Sequence, residues 1–234
     1  MSLTVERWES LQNRLKAACD RAGRDHEDVT MIAVSKMHPA SAVHEAWRAG
    51  ARLFGESYVQ EWIGKSEHPQ LVAAEGLRWS FIGHLQRNKV RHLIGRVSCI
   101  ETVDSLRLAQ EISRRASTRA SSFRQSVLLQ VNLTSEIGKR GFGPEELKAS
   151  FNDLISLPGL SIDGLMHIPP PRLTAEESRP DHRALETLRN ELKAASGLAL
   201  RELSMGMSAD FEVAIEEGST RVRVGTALFG PRPT

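Results

Sequence analysis

Eight short apolar runs, separated by helix-like stretches, constrain this chain more than any other feature. Runs of strand length occur at 29–36, 52–56, 78–83, 97–103, 126–132, 160–167, 202–207 and 220–225. They are apolar, of strand length and closed by turn signals, the pattern of buried strands. The stretches between them carry their own boundary signals. Pro39 suits a first helical turn and Gly50 a stop. Asp104 can cap a helix carrying Leu106, Leu108, Ala109 and Ile112. Pro144, Glu145 and Glu146 open another helix, and Leu185, Leu188 and Leu192 line one closed by Gly197. Ahead of the first run, residues 5–22 place Val5, Trp8, Leu11, Leu15, Ala18 and Ala22 on one face, with Gly23 as the stop. Alternation of this kind over 234 residues fits the α/β class, as a (β/α)8 TIM barrel with an extra N-terminal helix. The expectation is a single barrel domain spanning 1–234. A doubly wound open sheet is the rival, although a sheet of that size usually needs more residues or an antiparallel edge.

Composition narrows the function classes. A net charge of +2 with dispersed arginines offers no polyanion-binding face, so no nucleic-acid partner is expected. Cys19 and Cys99 match no zinc spacing and no disulfide framework, and both read as buried structural thiols. No run is long enough to span a membrane and no signal-peptide core opens the chain, so a reducing cytoplasmic setting is the expectation. There is no metal-ligand spacing, nucleophile elbow or P-loop. A monomer is expected, with a weak dimer as the alternative.

Closing the units into a barrel puts the strand exits on one rim, where such folds keep their chemistry. On that rim fall Lys36, Glu56, Ser57, His84, Asp104, Asn132, His167, Ser208 and Gly225-Thr226. Lys36 ends the run Val29 to Ser35. It is either a lysine marking the exit from the sheet or an amine that forms a Schiff base with a carbonyl. In Thr220 to Gly230, Val222 and Val224 share one strand face and Arg221 and Arg223 the other. An arginine inside a barrel needs an acceptor. Arg223 could reach a ligand in the mouth, and at Gly225-Thr226 the main chain can approach a phosphate closely. A plain turn with a salt-bridged arginine is the alternative. Ser208 reads as the N-cap of a helix carrying Phe211, Ala214 and Ile215, a position that can also face an anion. His84 can hydrogen-bond a ligand or serve structurally, and His167 is similarly open. Lys139 and Arg140 read as solvated loop charge or as rim cations. A carbonyl-reactive lysine on strand one and a phosphate site after strands seven and eight are neighbours in a closed barrel. A small phosphorylated aldehyde suits both, and pyridoxal 5′-phosphate (PLP) is the commonest such cofactor. A class I aldolase-like barrel acting on a sugar phosphate is another reading.

Longer motifs sharpen this. Ala33-Val34-Ser35-Lys36, the stretch Phe54 to Glu61, the stretch Trp79 to Lys89, Val131-Asn132-Leu133 with Lys139 to Phe142, Gly164-Leu165-Met166, Leu203 to Asp210 and Gly218 to Gly230 together resemble the pyridoxal phosphate homeostasis protein family. These are single-domain relatives of the alanine racemase N-terminal barrel. The resemblance covers nearly the whole chain in order. It implies PLP carried as a Schiff base on Lys36, a phosphate held by Ser208, Gly225 and Thr226, and Arg223 facing the pyridine nitrogen. His84 joins the implied cofactor-binding set. A cation at the pyridine nitrogen disfavours ring protonation and weakens the cofactor as an electron sink. The family's usual Gly-Glu-Asn-Tyr reads Gly55-Glu56-Ser57-Tyr58 here. Alanine racemases add a β-rich domain whose tyrosine, from the partner subunit, is a catalytic base. This sequence runs to Thr234 and its one tyrosine is Tyr58. The implied role is therefore intracellular vitamin B6 homeostasis: holding PLP, and passing it to apo-enzymes, without an established turnover reaction. A fold-type III racemase or lyase acting on an unidentified amine is the alternative.

Overall fold

Thr30–Val34 forms the first strand, β1, and its burial on both faces explains its unbroken apolar character. The chain is a computed structural model describing residues 2–119, 122–134 and 140–231. Seven further strands follow: β2 (Leu53–Glu56), β3 (Arg78–Phe81), β4 (Cys99–Val103), β5 (Gln125–Val131), β6 (Leu160–His167), β7 (Glu202–Met207) and β8 (Arg221–Val224). All neighbours are parallel, and the sheet closes in the order β1 to β8. The closing pair sets Ile32 beside Arg223 and Ala33 beside Val224. An open doubly wound sheet is excluded by that pairing. The strands lie where the eight apolar runs predict them, within two residues at each end.

The helices are α1 (Leu3–Ala22), α2 (Ala40–Arg48), α3 (Val59–Ser66), α4 (Pro69–Val72), α5 (Val90–Leu93), α6 (Leu106–Ala116), α7 (Pro144–Ile155), α8 (Arg179–Ser196), α9 (Phe211–Glu216) and α10 (Thr226–Phe229). The predicted N-terminal helix is α1. It buries Trp8, Leu11, Leu15, Ala18 and Cys19, and Gly23 closes it in the left-handed conformation at φ 64°. It packs against α9, α10 and α2, covering the side of the barrel where α10 supplies only one turn. Arg14 and Arg21 pin it to Glu212 and Glu216 of α9. Two caps differ from expectation. Ser105, not Asp104, caps α6, accepting from Leu108 N–H while its own hydroxyl donates to Asp104. Asp210, not Ser208, stands at the N-cap of α9, and its Oδ1 accepts from Met207 N–H at 2.7 Å.

The strands' outward faces build the main core with the helices, through residues such as Ala33, Phe54, Phe81, Ile100, Leu129, Leu165, Leu203 and Val222. Inside the barrel the layers differ in character. Cys99, Leu128 and Met166 form a separate apolar cluster, where burial pushes the Cys99 thiol up to about 12. Near them Glu101, fully buried, accepts from Ser80 Oγ at 2.8 Å, Ser204 Oγ at 2.7 Å and Arg221 Nη1 at 3.1 Å. Ile32 and Ile82 leave no space for a side chain at Gly55, where a Cβ would stand 2.9 Å from each. The polar layer survives burial because its charges are paired and its hydroxyls bonded.

Candidate functional site

Just past β1 the chain turns. Ser35 is fully buried, and its hydroxyl donates to Glu56 Oε1 at 2.6 Å. Glu56 ends β2 and also receives Lys65 Nζ of α3 at 2.6 Å. Burial raises the Glu56 carboxyl above the ordinary carboxylate range, against the opposing pull of Lys65. Lys36, the next residue, lines a cavity of about 880 Å3 at the C-terminal mouth of the barrel. The cavity opens over the ends of β2 to β6. Its polar lining includes His84, Gln86, Lys89, Asn132 and Arg140. His84 Nδ1 lies 3.5 Å from Asp104 Oδ2, and Arg140 reaches the same carboxylate at 3.9 Å. Thr102 closes the floor by donating its hydroxyl to Gly83 O at 2.5 Å. Ser57, which stands in the altered family motif, lines the wall, and its backbone packs directly on Gly83.

The other side of Lys36 is built from β7, β8 and the turns at their C-terminal ends. Ser208 Oγ accepts from Gly225 N–H at 3.3 Å. Gly225 lies against the end of β1, where a Cβ would meet Val34 O at 3.5 Å, an ordinary contact. Thr226 begins α10. Arg223, nearly fully buried, projects inward as its alternation with Val222 and Val224 predicts. Its Nη1 donates to Ser204 Oγ at 2.6 Å and its Nη2 to His167 O at 2.8 Å. Lys36, Ser208, Arg223, Gly225 and Thr226 thus come from adjacent strand ends, while His84 faces the cavity from β3, across the mouth.

His167 is a buried structural residue. Its Nδ1 lies 3.4 Å from Val131 O, and burial lowers its pKa to about 4. Lys139 lies outside the described residues. Among the described residues no group of His, Cys, Asp and Glu could hold a metal, and no helix is long and apolar enough to cross a membrane. Sequence reasoning missed Ser80, Glu101 and Ser204, and the partnership of Glu56 with Lys65. The available signal for the first three was a polar residue recurring on the inward face of β3, β4 and β7, at the same alternation as Arg221 and Arg223.

A closed parallel barrel with a lysine at the exit of its first strand and an arginine inside its last defines a lysine-bearing class of (β/α)8 proteins. Residues 8–233 match the family model of the alanine racemase N-terminal domain, and the chain belongs to that family. It is 43% identical over 227 residues to the pyridoxal phosphate homeostasis protein of Aquifex aeolicus, covering 97% of both chains. The protein of that name from Escherichia coli K12 is 40% identical over 227 residues, with 95% of this chain and 94% of that protein covered. Among solved structures, PipY of Synechococcus elongatus with PLP bound superimposes with a TM-score of 0.84 at 39% identity, covering 97% of this chain and 100% of that one. Alanine racemase of Clostridium difficile, 16% identical with a TM-score of 0.70, shares the fold over 95% of this chain and 58% of that one.

Proposed function

We propose that this chain, as one barrel domain over residues 1–234, binds PLP reversibly and serves vitamin B6 homeostasis in the cytoplasm. The observation that carries the reading is the meeting of a lysine and an anion cradle on adjacent strand ends, Lys36 after β1 and Ser208, Gly225 and Thr226 after β7 and β8. The residues fit the cofactor. Ser208 and Thr226 supply hydroxyls, the Thr226 and Ala227 amides at the start of α10 precede its first internal bond, Leu228 N–H to Gly225 O, and Gly225 keeps the approach free of a side chain. PLP supplies, when bound, an aldehyde that condenses reversibly with a primary amine and a ring that can accept electrons.

In this reading Lys36 is the covalent anchor, by a Schiff base at Nζ. Ser208, Gly225 and Thr226 hold the phosphate. Arg223 faces the pyridine nitrogen, held in place by Ser204 and the His167 carbonyl. A permanently charged donor there opposes protonation of the ring nitrogen. Relatives named pyridoxal phosphate homeostasis proteins, and a PLP-bound neighbour at 39% identity, support the cofactor and the role. Transfer to apo-enzymes and a monomeric state belong to the same proposal. The test is absorbance: purified protein with PLP absorbs in the visible, borohydride fixes the adduct, and Lys36→Ala abolishes both. Unchanged visible absorbance in Lys36→Ala overturns the anchor.

The large cavity on the β2 to β6 side favours one second reading, a fold-type III racemase or lyase acting on an amine. Lys89, Arg140 and His84 there could receive a carboxylate. Steady-state assays over an amino-acid panel decide it: turnover well above that of free PLP supports an enzyme.

A further inference from the structure

Lys36 sits in an unusual turn. His38 N–H donates to Ser35 O at 3.0 Å, so Ser35, Lys36, Met37 and His38 form a β-turn with Met37 third. Met37 has φ 66°, and among the described non-glycine residues only Leu200 shares a positive φ. A positive φ at the third position is the sign of a type II turn, where glycine is the usual occupant. A methionine there pays a conformational cost, so something must hold the peptide between Lys36 and Met37 in that orientation.

Helix α3 supplies it. Glu61 Oε1 accepts from Met37 N–H at 2.5 Å. One helical turn on, Lys65 Nζ donates to Ser35 O at 2.7 Å and to Glu61 Oε1 at 2.7 Å. The peptide groups on both sides of Lys36 are thus gripped by two residues at i and i+4 of one helix, a spacing that puts them on one face. Lys65 is 5% exposed and is itself fixed by Glu56. Turning the Lys36–Met37 peptide to the type I orientation would take the Met37 N–H away from Glu61 and change ψ at Lys36. The flip alone leaves the Lys36 Cα–Cβ bond in place, because φ at the second position is the same in both turn types; the grip on both flanking peptides instead fixes the backbone frame from which the side chain projects.

We propose that Glu61, held by Lys65, is a positioning residue for Lys36: together they hold the two peptides that flank it, and so fix the backbone frame from which the Lys36 side chain enters the barrel mouth. The proposal rests on the reading that Lys36 carries the aldehyde. Its distinctive demand is an acceptor oxygen at position 61 rather than a charge or a volume.

The test compares Glu61→Met, which fills a similar volume without a strong acceptor, with Glu61→Gln, which keeps an acceptor oxygen. Two quantities are read: amide hydrogen exchange at Met37 in protein without cofactor, and the rate constant for borohydride-trappable capture of added PLP. Glu61→Met is expected to speed exchange at Met37 by up to about tenfold, the scale of one net hydrogen bond, and to slow capture several-fold. Glu61→Gln should keep both within about twofold of the native protein. Adding Met37→Gly to Glu61→Met should restore part of the capture rate, because glycine adopts the positive φ unaided. If Glu61→Met fails to fold, Glu61→Ala, at a partly exposed site, carries the same expectations. Unchanged exchange and capture in the acceptor-less variant overturn the proposal, and so does an equal loss in Glu61→Gln. If Lys36→Ala captures PLP as well as native protein, the anchor reading has failed, while Met37 exchange still reports on the clamp.

Discussion

Arg223 is joined to Glu101 through a single hydroxyl. Its Nη1 donates to Ser204 Oγ at 2.6 Å, and that oxygen donates to Glu101 Oε2 at 2.7 Å. The two charged residues stand on β8 and β4, on opposite sides of the barrel, so Ser204 ties the guanidinium at the mouth to a carboxylate in the interior. Ser204→Ala removes the bridge and leaves a buried donor and a buried acceptor without that partner. The expected cost is roughly 1–3 kcal/mol, read from urea unfolding. Glu101→Ala, which also strips Arg221 of a partner, should cost about 3–5 kcal/mol.

Acid should weaken the fold through His167. The residue is 2% exposed, its Nε2 is buried without a hydrogen-bond partner among the described residues, and burial lowers its pKa from 6.5 to about 4. The unfolded chain binds this proton first. The stabilisation is fully present above pH 6.5 and is lost as pH falls toward 4. At about 1.4 kcal/mol per unit, the loss totals about 3 kcal/mol. Urea midpoints of native protein and His167→Gln should therefore converge with acid across this window, the native protein losing more.

Gly83→Ala should be severe for a single methyl group. A Cβ there would stand 2.1 Å from Ser57 O and 2.5 Å from Ser57 Cα. Both are backbone atoms, so relief requires the wall of the mouth to move. Thermal unfolding should show a loss of at least about 2 kcal/mol, whereas Gly143→Ala, with open space around it, should cost far less.

Met37 offers a backbone test independent of any ligand. With φ at 66°, Met37→Gly exchanges a local cost for unfolded-state entropy and should change stability by no more than about 0.5 kcal/mol. Met37→Val puts a β-branched residue in the left-handed region and should lose about 1–2 kcal/mol. Denaturant titration separates them, and equal stability would contradict the assigned turn.

The fold was legible because each strand is short, apolar and punctuated, and because Gly23 and Gly197 end α1 and α8 in left-handed conformations as their positions imply. Lys36, Ser208, Gly225 and Thr226 were legible as strand-exit residues once closure was assumed. Glu101, Ser80 and Ser204 were not. A polar residue in a strand ordinarily signals a solvated face, and only closure turns that face inward. Glu61 and Lys65 were hidden for a different reason. An i, i+4 Glu–Lys pair on a helix is the commonest of surface patterns, and nothing local reveals that Lys65 is buried against the end of β1. Ser208 was misassigned as a cap because Ser and Asp both cap well, and Asp210 stands two residues on.

The β1–β8 seam also carries a consequence for how the protein is made. Lys36 precedes Ser208, Arg223, Gly225 and Thr226 by more than 170 residues in the chain, and so emerges from the ribosome well before them. Until β8 docks beside β1, the amine lacks Gly225 and Thr226 next to it, the residues proposed to hold the phosphate. On the proposed reading, a chain still in translation, or one cut short before β8, exposes an ordinary lysine and does not deplete the cell's reactive aldehyde. On that reading sequestration begins only once β8 has docked, so cofactor capture would report on closure of the barrel.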